Sequence, residues 1–151
     1  MTTNRKPRSQ ARSAARLAAV QALYQWQMEG TAIALLLNEF HQHRLGHEIE
    51  DTHYAEAETA FFDDVVRGTI ARAEEIDALI SGRLAKGWSL ARLDRTMWQI
   101  LRAGTYELVA RADVPVGTVI SEYVDVAHAF FDGREAKFVN GVLDAIAKAV
   151  R

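Results

Sequence analysis

Apolar residues return every three or four positions along nearly the whole chain, the spacing that lines one face of an α-helix. Only Pro7 and Pro115 interrupt it, so the pattern predicts an all-α protein without strands. Helix one is expected from about Ser9 to Met28, with Leu17, Val20, Tyr24 and Met28 facing inward and Glu29-Gly30 ending it. Thr31 is placed to cap a second helix carrying Ile33, Leu36, Leu37 and Phe40, after which the polar, aperiodic stretch from Arg44 to Thr52 reads as a loop. A long third helix from about Ala55 to Leu84 would turn Phe62, Val65, Val66, Thr69, Ala73, Ile76 and Ile80 to one side, with Gly87 marking its end. Ser89 is placed to cap a fourth helix lined by Leu93, Met97, Ile100, Leu101, Gly104 and Leu108, stopped at Asp113-Val114-Pro115. A fifth helix carries Val116, Val119, Ile120, Tyr123, Val124, Ala127 and Phe130 inward, with Pro115 in its first turn where the missing donor costs nothing. Asp132 with Glu135 has the spacing of a capping box for a last helix striped by Phe138, Val139, Val142, Leu143, Ile146 and Val150. The expected fold is a compact single-domain bundle of about six to seven helices. Gly68, Gly104 and Gly141 fall inside those helices, where glycine costs about 1 kcal/mol relative to alanine, and close helix crossings are the expected compensation.

Length agrees with one domain over 1–151, enough to bury about two-thirds of the surface an unfolded chain exposes. The absence of cysteine excludes disulfides, thiolate catalysis and sulfur-ligated metals, and fits a reducing compartment, so the expected address is the cytoplasm. No run of eighteen apolar residues occurs, and the alanine-rich segment near the start is broken by Arg16, Gln21, Gln25 and Gln27; neither an export signal nor a membrane span is expected.

Charge changes the picture more. The first 28 residues hold five basic side chains and no acid, while the rest carries 13 Lys+Arg against 20 Asp+Glu, so a net charge of −2 conceals a dipole. Arg8, Arg12 and Arg16 recur every fourth residue and share one helical face over about 12 Å of axis. Like charges at that spacing repel by about 0.2–0.5 kcal/mol per pair, and cations in a first turn oppose the helix dipole. Local stability therefore gives no reason for the stripe, and an anionic partner does. Phosphate fits best, because a guanidinium fork grips it through two hydrogen bonds and a row of forks follows a nucleic-acid backbone. The bland alternative is a basic tail that only aids solubility; residues 1–8 are expected to be a flexible basic N-terminus.

The remaining chemistry is thin. His41, His43, His47 and His53 lie near Glu48, Glu50 and Asp51, and His43 with His47 has helical metal-ligand spacing, yet no HExxH pattern accompanies them. A solvated loop explains them more simply, and no metal site is assigned. Asp63-Asp64 and Glu74-Glu75 are neighbours whose side chains diverge by about 100° on a helix, so neither pair can share a proton. No phosphate loop or nucleophile elbow is present, and the chain is read as having no catalytic residue and no cofactor. Lys137-Phe138 forms a second basic and aromatic pair. Single-stranded nucleic acid is held by backbone charge and by stacking on aromatic rings, and Tyr24 and Phe138 are the candidate platforms, although periodicity alone would assign both rings to the core.

Ala19-Val20-Gln21-Ala22-Leu23-Tyr24-Gln25-Trp26 and Lys137-Phe138-Val139-Asn140-Gly141-Val142-Leu143-Asp144 resemble the signature stretches of the NusB family, with Leu101-Arg102, Tyr106-Glu107-Leu108 and Asp113-Val114-Pro115 matching between them in order and spacing. The resemblance covers nearly the whole chain and is weakest from about Gly30 to His53. It implies an all-helical RNA-binding transcription antitermination factor that joins the small-subunit ribosomal protein NusE on the boxA element of nascent ribosomal RNA, and meets other Nus factors and RNA polymerase indirectly. Residue by residue it implies RNA contacts at Arg12, Arg16 and Tyr24 on helix one and at Lys137 and Phe138 near the end, with Arg8 extending the stripe. Arg102, also assigned as an RNA contact by the resemblance, falls on a matching arginine near the helices that face the ribosomal protein. Two departures stand out: Ser13 and Ala14 replace part of a denser arginine run, and Met97 stands where some relatives carry an acid towards the ribosomal protein. The alternative is a helical interaction module, or a homodimer, without a specific RNA role.

Overall fold

The computed structural model describes the backbone of residues 7–43, 45 and 52–151, and side chains from residue 9 onward apart from 44 and 46–57. Seven α-helices and no strand occur among the described residues: α1 (Pro7–Glu29), α2 (Ile33–His43), α3 (Thr52–Ala71), α4 (Ala73–Ser81), α5 (Arg95–Ala110), α6 (Val116–Phe130) and α7 (Gly133–Val150), with a short 3₁₀ turn at Leu90–Arg92. The chain divides into two compact units, Met1–Arg67 and Gly68–Arg151.

In the first unit, α1 buries Ala11, Ala15, Ala18, Ala19, Val20, Ala22 and Leu23, and α2 packs on it through a face that includes Leu36, Leu37 and Phe40. This corrects the expected stripe. Tyr24 and Met28 are exposed, and the buried arc is turned by more than a quarter of the helix circumference from the one drawn through the bulky residues. Alanines are the cause: a pattern weighted by side-chain size looks past them, while a close helix contact selects them. Gly30, at φ +69°, ends α1 in the left-handed conformation expected there. α2 begins two residues past Thr31, whose Oγ1 accepts instead from Gln25 Nε2 at 3.5 Å. On α3, Phe62, Val65 and Val66 are buried, and the Phe62 ring stacks on Phe40 with centroids 5.4 Å apart. The predicted loop from Arg44 to Thr52 lies almost wholly outside the described residues.

The second unit is built around α5. Every residue from Gln99 to Leu108 is buried, and α4, α6 and α7 all pack against this helix. Two glycines make the crossings possible: a Cβ on Gly104 would stand 2.9 Å from Leu143, and one on Gly68 would overlap the Tyr106 ring. A Cβ on Gly141 would meet nothing within 4 Å, so no crossing explains that glycine. Tyr123 Oη donates to Glu107 Oε2 at 2.5 Å, giving a wholly buried carboxylate a partner. Arg151 closes the far end of α5, where helix carbonyls lack partners, by donating to the carbonyls of Glu107, Leu108, Arg111 and Val114 at 2.7–3.1 Å.

Several predicted boundaries move. The long third helix is interrupted at Arg72, which leaves the α region (φ −112°, ψ 20°) while its side chain donates twice to Glu75 at 2.9 Å and holds that carboxyl below its usual range. α4 then ends at Ser81, ahead of Gly87, which sits at φ +92° in a turn. Ser89 opens only the 3₁₀ turn and makes no side-chain cap; Asp94 caps α5, its Oδ1 accepting from the N–H of Thr96 at 2.8 Å and Met97 at 3.1 Å. Asp132 is the N-cap residue of α7 without the predicted capping bond, and Phe130 is exposed.

Candidate nucleic-acid interface

The arginine stripe lies on α1, but inside its buried arc and not beside it. Arg16 is 3% exposed, so it is not open to an anionic partner as the stripe of three arginines implied, and Arg12 is half-buried. Both guanidiniums stack on one ring: Cζ of Arg12 lies 4.7 Å and that of Arg16 4.9 Å from the centroid of Phe61, itself 4% exposed on α3. A ring face attracts a cation, and the attraction grows where water is excluded. Neither side chain is free, so the entropy of ordering two long arginines is already spent in the unbound protein. The side chain of Arg8 lies outside the described residues.

Tyr24 follows Arg16 by eight residues, about 12 Å of helix axis, and is 40% exposed, with Met28 also open one turn later. The tyrosine is thus a surface ring on the helix that carries the arginines. In the second unit, Lys137 is exposed and Phe138 half-buried in the second turn of α7, flanking the buried line of Ala136, Val139, Val142 and Leu143. The candidate residues therefore form two groups, one in each unit.

Arg102 belongs to neither. It is 4% exposed, its Nε and Nη2 donate to the carboxylate of Asp77 at 2.9 and 2.8 Å, Nη1 donates to Gln99 at 3.2 Å, and its plane lies 3.8 Å from the Trp98 centroid. Trp98 Nε1 donates to the same carboxylate at 3.0 Å. This closed network ties α4 to α5, and its geometry does not support an RNA contact. Met97 is likewise a core side chain, 5% exposed.

The histidine cluster is not assembled among the described residues, where no three His, Cys, Asp or Glu side chains converge as a metal site. His41 is hydrogen-bonded to Asp63 at 2.5 Å and lies edge-on to Phe62, while His43 is exposed. His47 and the side chain of His53 lie outside the described residues. Nor is any helix of the described residues long and apolar enough to cross a membrane.

Phe61 escapes a reading of the sequence by periodicity, which places Phe62 on the core stripe and leaves its neighbour about 100° away. Two consecutive phenylalanines on a helix cannot share one face, and that was the available signal that the second needed a partner of its own.

Fold and site together define a protein, all-helical among the described residues, that holds ordered arginines on an aromatic platform, with an exposed tyrosine further along the same helix. The sequence model of the NusB family matches residues 13–148, and the chain belongs to that family. It is 75% identical over 141 residues to the transcription antitermination protein NusB of Novosphingobium aromaticivorans, covering 93% of this chain and 95% of that one. It is 70% identical over 144 residues to the protein of the same name from Sphingopyxis alaskensis, covering 95% and 97%. Among solved structures, NusB of T. maritima aligns with a TM-score of 0.73 at 32% identity over 96% of this chain and 93% of that one. A structure of antitermination factors NusB and NusE in complex with double-stranded RNA contains a chain that aligns with a TM-score of 0.78 at 31% identity, over 93% and 98%.

Proposed function

We propose that this protein is a non-catalytic transcription antitermination factor of the cytoplasm that binds the boxA element of nascent ribosomal RNA together with the ribosomal protein NusE. The observation that carries the reading is the half-buried Arg12 guanidinium ordered on Phe61, with buried Arg16 packed on the same ring, on the helix that also carries the exposed ring of Tyr24. Ordered cations grip phosphates with little further loss of entropy, and an exposed ring accepts an unstacked base. Lys137 and Phe138 add a second cation and ring in the second unit. The antitermination factors seen bound to RNA in a related structure support the partner class, and the aromatic contribution favours a single-stranded or splayed segment of that RNA.

The test is terminator read-through on a boxA template with purified polymerase, NusE and the remaining Nus factors. Addition of this protein raises read-through, and Arg12→Ala with Tyr24→Ala lowers the gain several-fold at equal protein concentration. Read-through independent of boxA, or unaffected by the double substitution, contradicts the proposal.

A further inference from the structure

A second set of cationic and aromatic side chains, other than those assigned above, lies in the second unit. Arg83, Lys86, Arg92 and Arg95 fall within thirteen residues, and the acid among them, Asp94, turns Oδ1 to the backbone of Thr96 and Met97. Arg72, Arg102, Arg111 and Lys148 are each bound to a carboxylate, whereas none of these four has such a partner among the described residues. They gather, moreover, in the part of the chain whose net charge is negative.

Two tryptophans stand among them. Trp88 is 55% exposed; the Arg92 guanidinium lies 5.8 Å from its ring and is anchored by donating from Nη1 to the Gly87 carbonyl at 2.8 Å. Arg95 stands 5.9 Å from the ring of half-buried Trp98. The left-handed turn at Gly87 and the Asp94 cap fix this segment from both ends. Clustered cations repel and an open tryptophan leaves apolar surface in water, so local stability accounts for neither. An acidic polypeptide would neutralise the cations, but the carboxylates that do so have no aromatic face to stack on the ring. Single-stranded RNA supplies both, phosphates for the cations and bases for the exposed indole.

We propose that Lys86, Trp88, Arg92 and Arg95 form a second contact surface for single-stranded RNA, taking nucleotides beyond the boxA segment. The inference rests on the RNA-binding reading above and extends it.

The experiment compares the full-length protein on a boxA RNA of about a dozen nucleotides with the same RNA lengthened by about ten unrelated ones, spans set by usual single-strand site sizes. The wild type binds the longer RNA about tenfold more tightly, with a log–log salt slope steeper by about 1.5–2, as one stacked base and two to three further phosphates require. Trp88→Ala removes that gain, as does Lys86→Glu with Arg95→Glu, while affinity for the short RNA stays within about twofold; Trp88→Phe keeps a ring and retains most of the gain. These side chains are exposed, and unchanged thermal melting verifies that each variant is folded. No gain on lengthening, or a gain that survives in the variants, overturns the inference. Equal loss on both RNAs also overturns it, since the cluster then acts only through its general field. Binding of a polyglutamate peptide that the variants lose, without any RNA gain, assigns the surface to an acidic polypeptide and overturns it as well. Short RNA bound without a gain removes this inference alone, whereas failure to bind boxA at all removes the RNA reading and this surface with it.

Discussion

Arg12 and Arg16 are spaced alike in the sequence and differ in the structure, one half-buried and one 3% exposed over the same phenyl ring. Their substitutions should separate. Arg16→Ala opens a gap beneath α1 and lowers stability in urea denaturation by about 1–3 kcal/mol, whereas Arg12→Ala costs less than about 1 kcal/mol and shows mainly as weaker RNA binding with a shallower salt slope. Phe61 acts through the arginines: Phe61→Leu keeps an apolar side chain but removes the cation-binding face, and RNA affinity should fall about threefold to tenfold, with Phe61→Tyr close to wild type. Titration of a labelled boxA RNA reads this directly, and equal losses for both variants would reduce the ring to packing. At this scale the sequence showed which side chains carry charge and where they recur. It did not show burial, because whether an arginine lies beside or inside a helix's buried arc depends on the partner helix, here on Phe61.

At the scale of elements, periodicity found the helices because their apolar faces are long and regular, while their ends were set by single hydrogen bonds that composition does not reveal. Ser89, Asp94 and Asp132 are all good N-cap types, yet only Asp94 makes the side-chain bonds. Asp94→Ala should therefore cost about 1 kcal/mol of thermal or urea stability, and Ser89→Ala less than about 0.5 kcal/mol. The interruption at Arg72 was illegible for the same reason: no proline or glycine marks it, and the hydrogen bonds to Gly68 and from Ile76 continue on either side. The helical glycines divide by what surrounds them. Gly141→Ala should stabilise by about 0.5–1 kcal/mol, since the added methyl meets nothing and alanine suits a helix better. Gly68→Ala should destabilise clearly, since its methyl would overlap the Tyr106 ring. Melting curves of the two variants check both signs.

Across the whole molecule, the charge dipole legible in the sequence acquires a structural meaning. Arg12 and Arg16 of the basic start are held on an aromatic platform in one unit, and a second set of cations without carboxylate partners among the described residues interrupts the acidic remainder in the other. That second set was overlooked in the sequence because it has no helical period: it lies across a turn, a 3₁₀ segment and the first residue of α5. The net negative charge of the chain after residue 28 suits a basic ribosomal protein, with its effect expected chiefly on association rate and specificity. The measurement that tests the account most directly is affinity for boxA RNA and for a scrambled control across a salt series, alone and with NusE. Preference for boxA, tighter binding with NusE present, and a log–log slope near −3 for about four neutralised phosphates on the short RNA are the expected results. Equal binding of both RNAs, unchanged by NusE, would contradict the antitermination reading and leave the arginines as a generic anion surface.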